Sequence, residues 1–201
     1  MPHRRETLFP AGDPPSSPGH RRTVASILTA YVRRHAAWTA GPAQRAQISG
    51  PPPPADLASL PRLETRAPDI QAALTVLGRL VGPEEDIAAV VDRLQLFDTD
   101  LRGGFLVGAN LQFALLGGAH LQGASLRDTD LRGAFLVYAQ FSDVSLHGTD
   151  MRGADLRCAQ FEGARHLDHA DLRGAVADSK TRWPAGFDAA AAGVQSGADY
   201  N

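Results

Sequence analysis

The sequence predicts a mainly β fold, a solenoid whose chain turns a corner every five residues, with a short α-helical region ahead of it. Three observations carry that prediction. From Leu96 to Phe161 an apolar residue stands at every fifth position: Leu96, Leu101, Leu106, Leu111, Leu116, Leu121, Leu126, Leu131, Leu136, Phe141, Leu146, Met151, Leu156 and Phe161. Two residues before the next member of the series stands a small residue, from Thr99 and Gly104 through to Ala159 and Ala164. Many of the positions between them are polar or Gly, as in Asp100-Leu101-Arg102-Gly103, Asp130-Leu131-Arg132-Gly133 and Asp150-Met151-Arg152-Gly153. A period of five is neither the 3.6 of a helix nor the 2 of a strand, so the run is an internal repeat.

An inward residue once every five positions requires one corner per repeat. The large residue and the small one before it both face inward and fill a narrow core in layers. Glycine suits corners that need permissive backbone angles. The run resembles the pentapeptide-repeat family, whose pattern is Ala-Asp/Asn-Leu-x-x. Its best matches are Ala154-Asp155-Leu156-Arg157-Cys158 and Ala170-Asp171-Leu172-Arg173-Gly174. The resemblance covers roughly residues 94–178. It implies a right-handed quadrilateral β-helix with four pentapeptides per coil and about four coils, stacked about 4.8 Å apart as in any sheet.

The remaining elements follow in chain order. Residues 1–22, rich in Pro, Gly, Ser and Arg, are expected to be disordered. Thr23 would cap a helix with Val24, Ile27, Leu28, Tyr31, Val32 and His35 as its apolar stripe. Arg33 and Arg34 lie near its end, where the helix dipole favours cations, and Gly41-Pro42 stops it. A Pro-rich linker spans about 41–68, with Pro51–Pro54 as a stiff spacer. Asp69 would cap a second helix with Ala73, Leu74, Leu77 and Leu80 on one face. Pro83 with Glu84, Glu85 and Asp86 starts a third, with Ile87, Val90, Val91 and Leu94 as its stripe. The stretches around 23–35 and 68–78 are similar to the segment preceding the repeats in actinobacterial members of the family. A solenoid exposes unpaired backbone at its first coil, so the region 23–95 is expected to cap the β-helix of 96–178. Trp183-Pro184 and Phe187, in the C-terminal segment 179–201, are expected to close the other end.

The repeat slips once. The next centre after Phe161 should be residue 166, which is His166, but the pattern resumes one residue late with Ala170-Asp171-Leu172. A one-residue bulge accounts for the slip.

Net charge is −2, which excludes global recruitment of nucleic acid. Residues 1–95 carry 11 Arg against 9 acidic residues, or +2, and residues 96–178 carry 7 Arg against 11, or −4. One cysteine, Cys158, forbids an intrachain disulfide and is expected to point outward. A lone exposed thiol fits a reducing, cytoplasmic setting. The N-terminal residues show no apolar segment of signal-peptide length, and no stretch has membrane-spanning length.

Four repeats per coil stack residues 20 apart. Asn110, Asp130, Asp150 and Asp171 should form one column, and Gln112, Arg132, Arg152 and Arg173 the column beside it, giving a solvated ion-pair ladder. On the adjacent face the position before the core residue is apolar, Leu115 and Phe135, with Val137 and Tyr138 beside them. Phe105 breaks the same rule on a neighbouring face. Contiguous exposed apolar surface marks a partner, so these five residues are the expected partner-binding set. The chain's own helix at 23–38 is the first candidate to cover them, a second copy in a homodimer or a different protein the others.

Catalytic signatures are sparse. His166-x-x-His169, with Asp168 between, has metal-ligand residue types but no sequence-near third His or Cys, and reads as a surface loop. His120 and His147 read as outward and isolated, and Cys158 has no predicted base beside it. No catalytic, cofactor or metal residue is assigned. The function expected is a non-catalytic protein-binding scaffold, a rigid rod presenting varied side chains. The resemblance implies an alternative, because some family members bind DNA gyrase as DNA mimics and protect it from drugs or toxins. The short solenoid and its interleaved arginines weigh against that alternative.

Overall fold

Every fifth residue is buried because one residue per repeat takes the left-handed backbone conformation and turns the chain through a corner. In the computed structural model, which describes residues 18–36, 67–80 and 94–200, the residue two past each core position has positive φ at every corner from Asp98 to Gly163. Gly fills most of these corners without steric cost, for example Gly123 at φ +70. Of the segment 1–22 expected to be disordered, residues 18–22 are helical instead, and residues 1–17, the Pro-rich linker as far as residue 66 and the helix started by Pro83 lie outside the described residues.

Four corners return the chain to the same face, so parallel bridges join residues 20 apart: Gln95 to Leu115 to Phe135 to Asp155, and likewise from Asp100, Phe105 and Asn110. The Leu116 N–H donates to the Phe135 carbonyl at 2.8 Å, and the Leu115 N–H donates back to Leu94 at 2.8 Å. The core series from Leu96 to Phe161 is buried throughout. Where Thr takes the small position its hydroxyl is satisfied internally, as Thr149 donates to the Leu126 carbonyl at 2.7 Å. One core column ends in stacked aromatics: Phe141 on Phe161 at 4.5 Å between centroids, and Phe161 on Trp183 at 5.0 Å. Phe187 packs against Trp183 in turn.

Helix α1 (Pro18–His35) starts at Pro18 rather than Thr23. Of the expected stripe Val32 is buried and Val24, Leu28 and Tyr31 pack against the core, while Ile27 and His35 stay exposed; Ala25 and Thr29 share the buried face, and Ala36 just past the helix end is buried too. Small residues there let α1 approach helix α2 (Pro68–Leu80) closely. The Tyr31 hydroxyl donates to the Asp69 carboxylate across the pair.

The two helices finish the first coil's hydrogen bonds. The Ala36 carbonyl accepts the Asp100 N–H at 2.6 Å, and the Gly78 carbonyl accepts the Asn110 N–H at 2.9 Å. The buried Gln71 side chain accepts the Phe105 N–H at 2.8 Å and donates to the Phe105 carbonyl at 2.6 Å. One amide side chain thus replaces a missing strand residue. Gly78 is required by close approach, since a Cβ there would meet the Ala109 Cβ at 2.6 Å.

The last coil departs from the 20-residue rule. Ser145 bridges Arg165 at the usual spacing, but Asp150 bridges Asp171 and Gln160 bridges Arg182, one and two residues late. The first extra residue is His166, extruded so that Leu167, 3% exposed, fills the core place. A 3-10 turn at Leu167–His169 replaces the next corner. Strand β1 (Val176–Ala177) then pairs in parallel with β2 (Gln195–Ser196), which lays the C-terminal segment over the final coil. Among the described residues no helix is long and apolar enough to cross a membrane.

Candidate functional site

The face expected to bind a partner is built by two columns. Gln95, Leu115, Phe135 and Asp155 form the bridge column, and Phe97, Gly117, Val137 and Arg157 occupy the positions just past the core. Gly117 leaves room for the Phe135 ring, which a Cβ there would approach to 2.8 Å. Phe97 meets Phe135 edge-on at 6.0 Å.

The surface is largely closed. Tyr200 packs edge-on against Phe135 at 6.3 Å and Tyr138 at 5.9 Å, with the Arg157 guanidinium 4.8 Å from the Tyr200 ring centre. Leu115, Phe135 and Tyr138 are half-buried, and Val137 is 1% exposed. The chain therefore covers much of this group itself. Its cover is the C-terminal segment rather than the helix at 23–38, because α1 spends its inward face on α2 and the first coil. Phe105 stands apart on its own face, 57% exposed, with Val107 two residues on.

Cys158 is also corrected, from an outward thiol to a buried one. Asp178, placed by the second extra residue, turns its carboxylate into the ladder and accepts the Cys158 N–H at 2.9 Å, where a backbone carbonyl would otherwise stand. It also accepts the Cys158 thiol at 3.3 Å, the Tyr200 N–H at 3.1 Å, the Lys180 N–H at 3.1 Å and the Thr181 hydroxyl at 3.0 Å. Burial works to raise the Asp178 carboxyl, but these donors outweigh it and hold the group well below the usual carboxylate range. Burial first, and the Asp178 contact second, push the Cys158 thiol up. Such a thiol is a poor nucleophile.

The ion-pair ladder stands as the spacing implies. Each Asp accepts the backbone N–H two residues on and pairs with that residue's guanidinium, as Asp130 does with Arg132 at 2.7 Å and Asp150 with Arg152 at 2.6 Å. Cross-coil contacts of 3.7 Å (Arg132 to Asp150) and 3.6 Å (Arg152 to Asp171) zip the column together. The Arg173 hydrogen bond leads in drawing Asp171 down to about 2. On another face burial lowers His120 to about 4.

His147 is not isolated. Its ring lies 5.0 Å from that of His169 and 5.9 Å from that of His166. The signal that would have found this cluster is the 20-residue stacking itself, carried across the slip. Gln71 had no such signal, since a glutamine within an amphipathic helix looks like any other polar residue.

A family model for pentapeptide repeats matches the chain in 8 copies, over residues 95–133, 109–148 and 136–176. Among solved structures the chain is similar to alr5209, a pentapeptide repeat protein from Nostoc PCC 7120, at 31% identity. That match covers 58% of this chain and 100% of the other, with a TM-score of 0.38. It is similar to HetL of Nostoc sp. strain PCC 7120, a pentapeptide repeat protein involved in regulating heterocyst differentiation, at 32% identity. There it covers 45% of this chain and 43% of HetL, with a TM-score of 0.41. QnrB1, a plasmid-mediated fluoroquinolone resistance protein, matches at 16% identity over 49% of this chain and 78% of its own, with a TM-score of 0.24. No curated protein matches significantly.

Proposed function

The chain belongs to the pentapeptide repeat family, whose fold is the right-handed quadrilateral β-helix, and on that premise we propose that it is a non-catalytic scaffold that binds another protein. The observation that carries this reading is the exposed Phe105, with Val107, on a first coil that the helical cap holds rigidly through Gln71. Phe105 is the most exposed aromatic ring among the described residues, and a large ring in water suits a contact anchor. Leu115, Phe135, Val137 and Tyr138 form a second surface, over which Tyr200 packs against Phe135 and Tyr138. A buried, unreactive thiol is compatible with the reducing cytoplasm we propose as its compartment.

A DNA-mimic partner of gyrase is less well supported. Mimicry needs unneutralised carboxylates, and in the ladder Asp130, Asp150 and Asp171 each hold an arginine.

The test compares the full chain with Phe105→Asp, both immobilised and challenged with a lysate of the source cells. A protein held by the parent chain and released by Phe105→Asp, at unchanged circular dichroism, is the expected result. Equal retention by both contradicts the reading. Light scattering of the free chain checks for a homodimer, and a gyrase supercoiling assay with and without a quinolone is expected to show no inhibition and no protection.

A further inference from the structure

The insertion in the last coil gathers three imidazoles. His147 follows the core residue Leu146, His166 is the extruded residue, and His169 ends the 3-10 turn. One ring nitrogen from each lies within 4.8 Å of the other two, and all three residues are exposed. Three of the chain's seven histidines therefore meet at one point although they come from two different coils. The backbone beneath them is fixed by ladder bonds: Asp128 N–H to the His147 carbonyl at 2.9 Å, Leu146 N–H to Arg165 at 3.0 Å and Gly148 N–H to His169 at 3.1 Å.

A carboxylate orients one of the rings. The Asp168 Oδ1 lies 2.9 Å from the His169 Nδ1. With the Nδ1 proton held there, Nε2 of the neutral ring carries the lone pair, the carboxylate–histidine arrangement found behind metal ligands.

We infer that His147, His166 and His169 bind one divalent transition-metal ion of the Zn2+, Ni2+ or Cu2+ class, with the remaining coordination position open to water. Imidazole nitrogens suit these ions, whereas Mg2+ and Ca2+ demand oxygen. Three protein ligands and an open position form a recurrent zinc geometry. With Zn–N bonds of about 2.0–2.1 Å, tetrahedral ligand nitrogens stand about 3.3 Å apart, so nitrogens that already lie within 4.8 Å of one another have a short way to close on an ion. The ion would cross-link the third coil to the fourth.

Titration calorimetry of the untagged full chain with ZnCl2, and with MgCl2 as control, tests this. One Zn2+ per chain, no response to Mg2+ and a Zn2+-dependent rise in thermal midpoint are expected. His147→Ala should weaken Zn2+ binding by tenfold or more and abolish the thermal shift, and the double variant His166→Ala/His169→Ala should lose both. Asp168→Asn, a positioning change, should weaken binding by about ten- to a hundredfold. If His147→Ala disturbs the circular dichroism, His147→Gln gives the same reading. Zn2+ binding undiminished in these variants, or no heat and no thermal shift with Zn2+ in large excess, overturns the inference.

Discussion

The coils up to Phe161 and the coil after it are written in the same pentapeptide, but they differ in register, and register decides what meets what. In the strict coils a side chain stacks on its counterpart 20 residues away: Asp130 on Asp150, Leu115 on Phe135. In the last coil two extra residues shift the partners. Unlike groups then come together: His147 with His166 and His169, and the Asp178 carboxylate with the Cys158 amide. The periodic part builds a rod, and the two breaks in its period assemble the unusual side-chain groupings.

The largest effect expected from breaking this comparison is in the shared core. Phe161, fully buried and stacked between Phe141 and Trp183, joins strict coil to slipped coil. Phe161→Ala should cost about 3–5 kcal/mol in denaturant unfolding, while Phe105→Ala should cost less than about 0.5 kcal/mol. Next is Asp178→Ala, which strips acceptors from the Cys158 and Tyr200 amides. A loss of about 2–4 kcal/mol is expected, with Cys158 becoming reactive toward thiol reagents. Asp178→Asn should fall between the two.

Gln71→Ala tests the opposite end. It leaves the Phe105 N–H and carbonyl without their partner in the cap and should cost about 1–3 kcal/mol, with faster hydrogen exchange at the Phe105 amide.

His120 sharpens the comparison through pH. Burial lowers its folded pKa to about 4, below the ordinary value of 6.5, so the unfolded chain binds the proton more readily. Its contribution is complete above pH 6.5 and is lost as pH falls toward 4. Across that window His120→Gln should flatten the stability profile by about 1–3 kcal/mol. The smallest effect belongs to the exposed ladder, where Arg152→Ala should change stability by less than about 1 kcal/mol and less still at high salt.

Much of this was legible because it is local and periodic. The core series, the small residues, the Asp and Arg columns and the place of the slip follow from counting along the chain. The cover on Phe135 and Tyr138 did not, since Tyr200 and Phe135 are related by no period and the tail's path is set by β2 pairing to β1. The inward face of α1 was legible at Val24, Leu28, Tyr31 and Val32 but not at Ile27, because close helix packing turns the small Ala25 and Thr29 inward beside them. His147 was recoverable in principle, lying 19 and 22 residues from His166 and His169, one coil away across the slip.

The most direct test of the claim that the shifted last coil seals this face is the reactivity of Cys158 with a small thiol reagent in the native chain. The structure predicts a rate many-fold below that of the denatured chain, rising sharply in Asp178→Ala. A native rate equal to that of the denatured chain would show that the Asp178 and Tyr200 closure does not form.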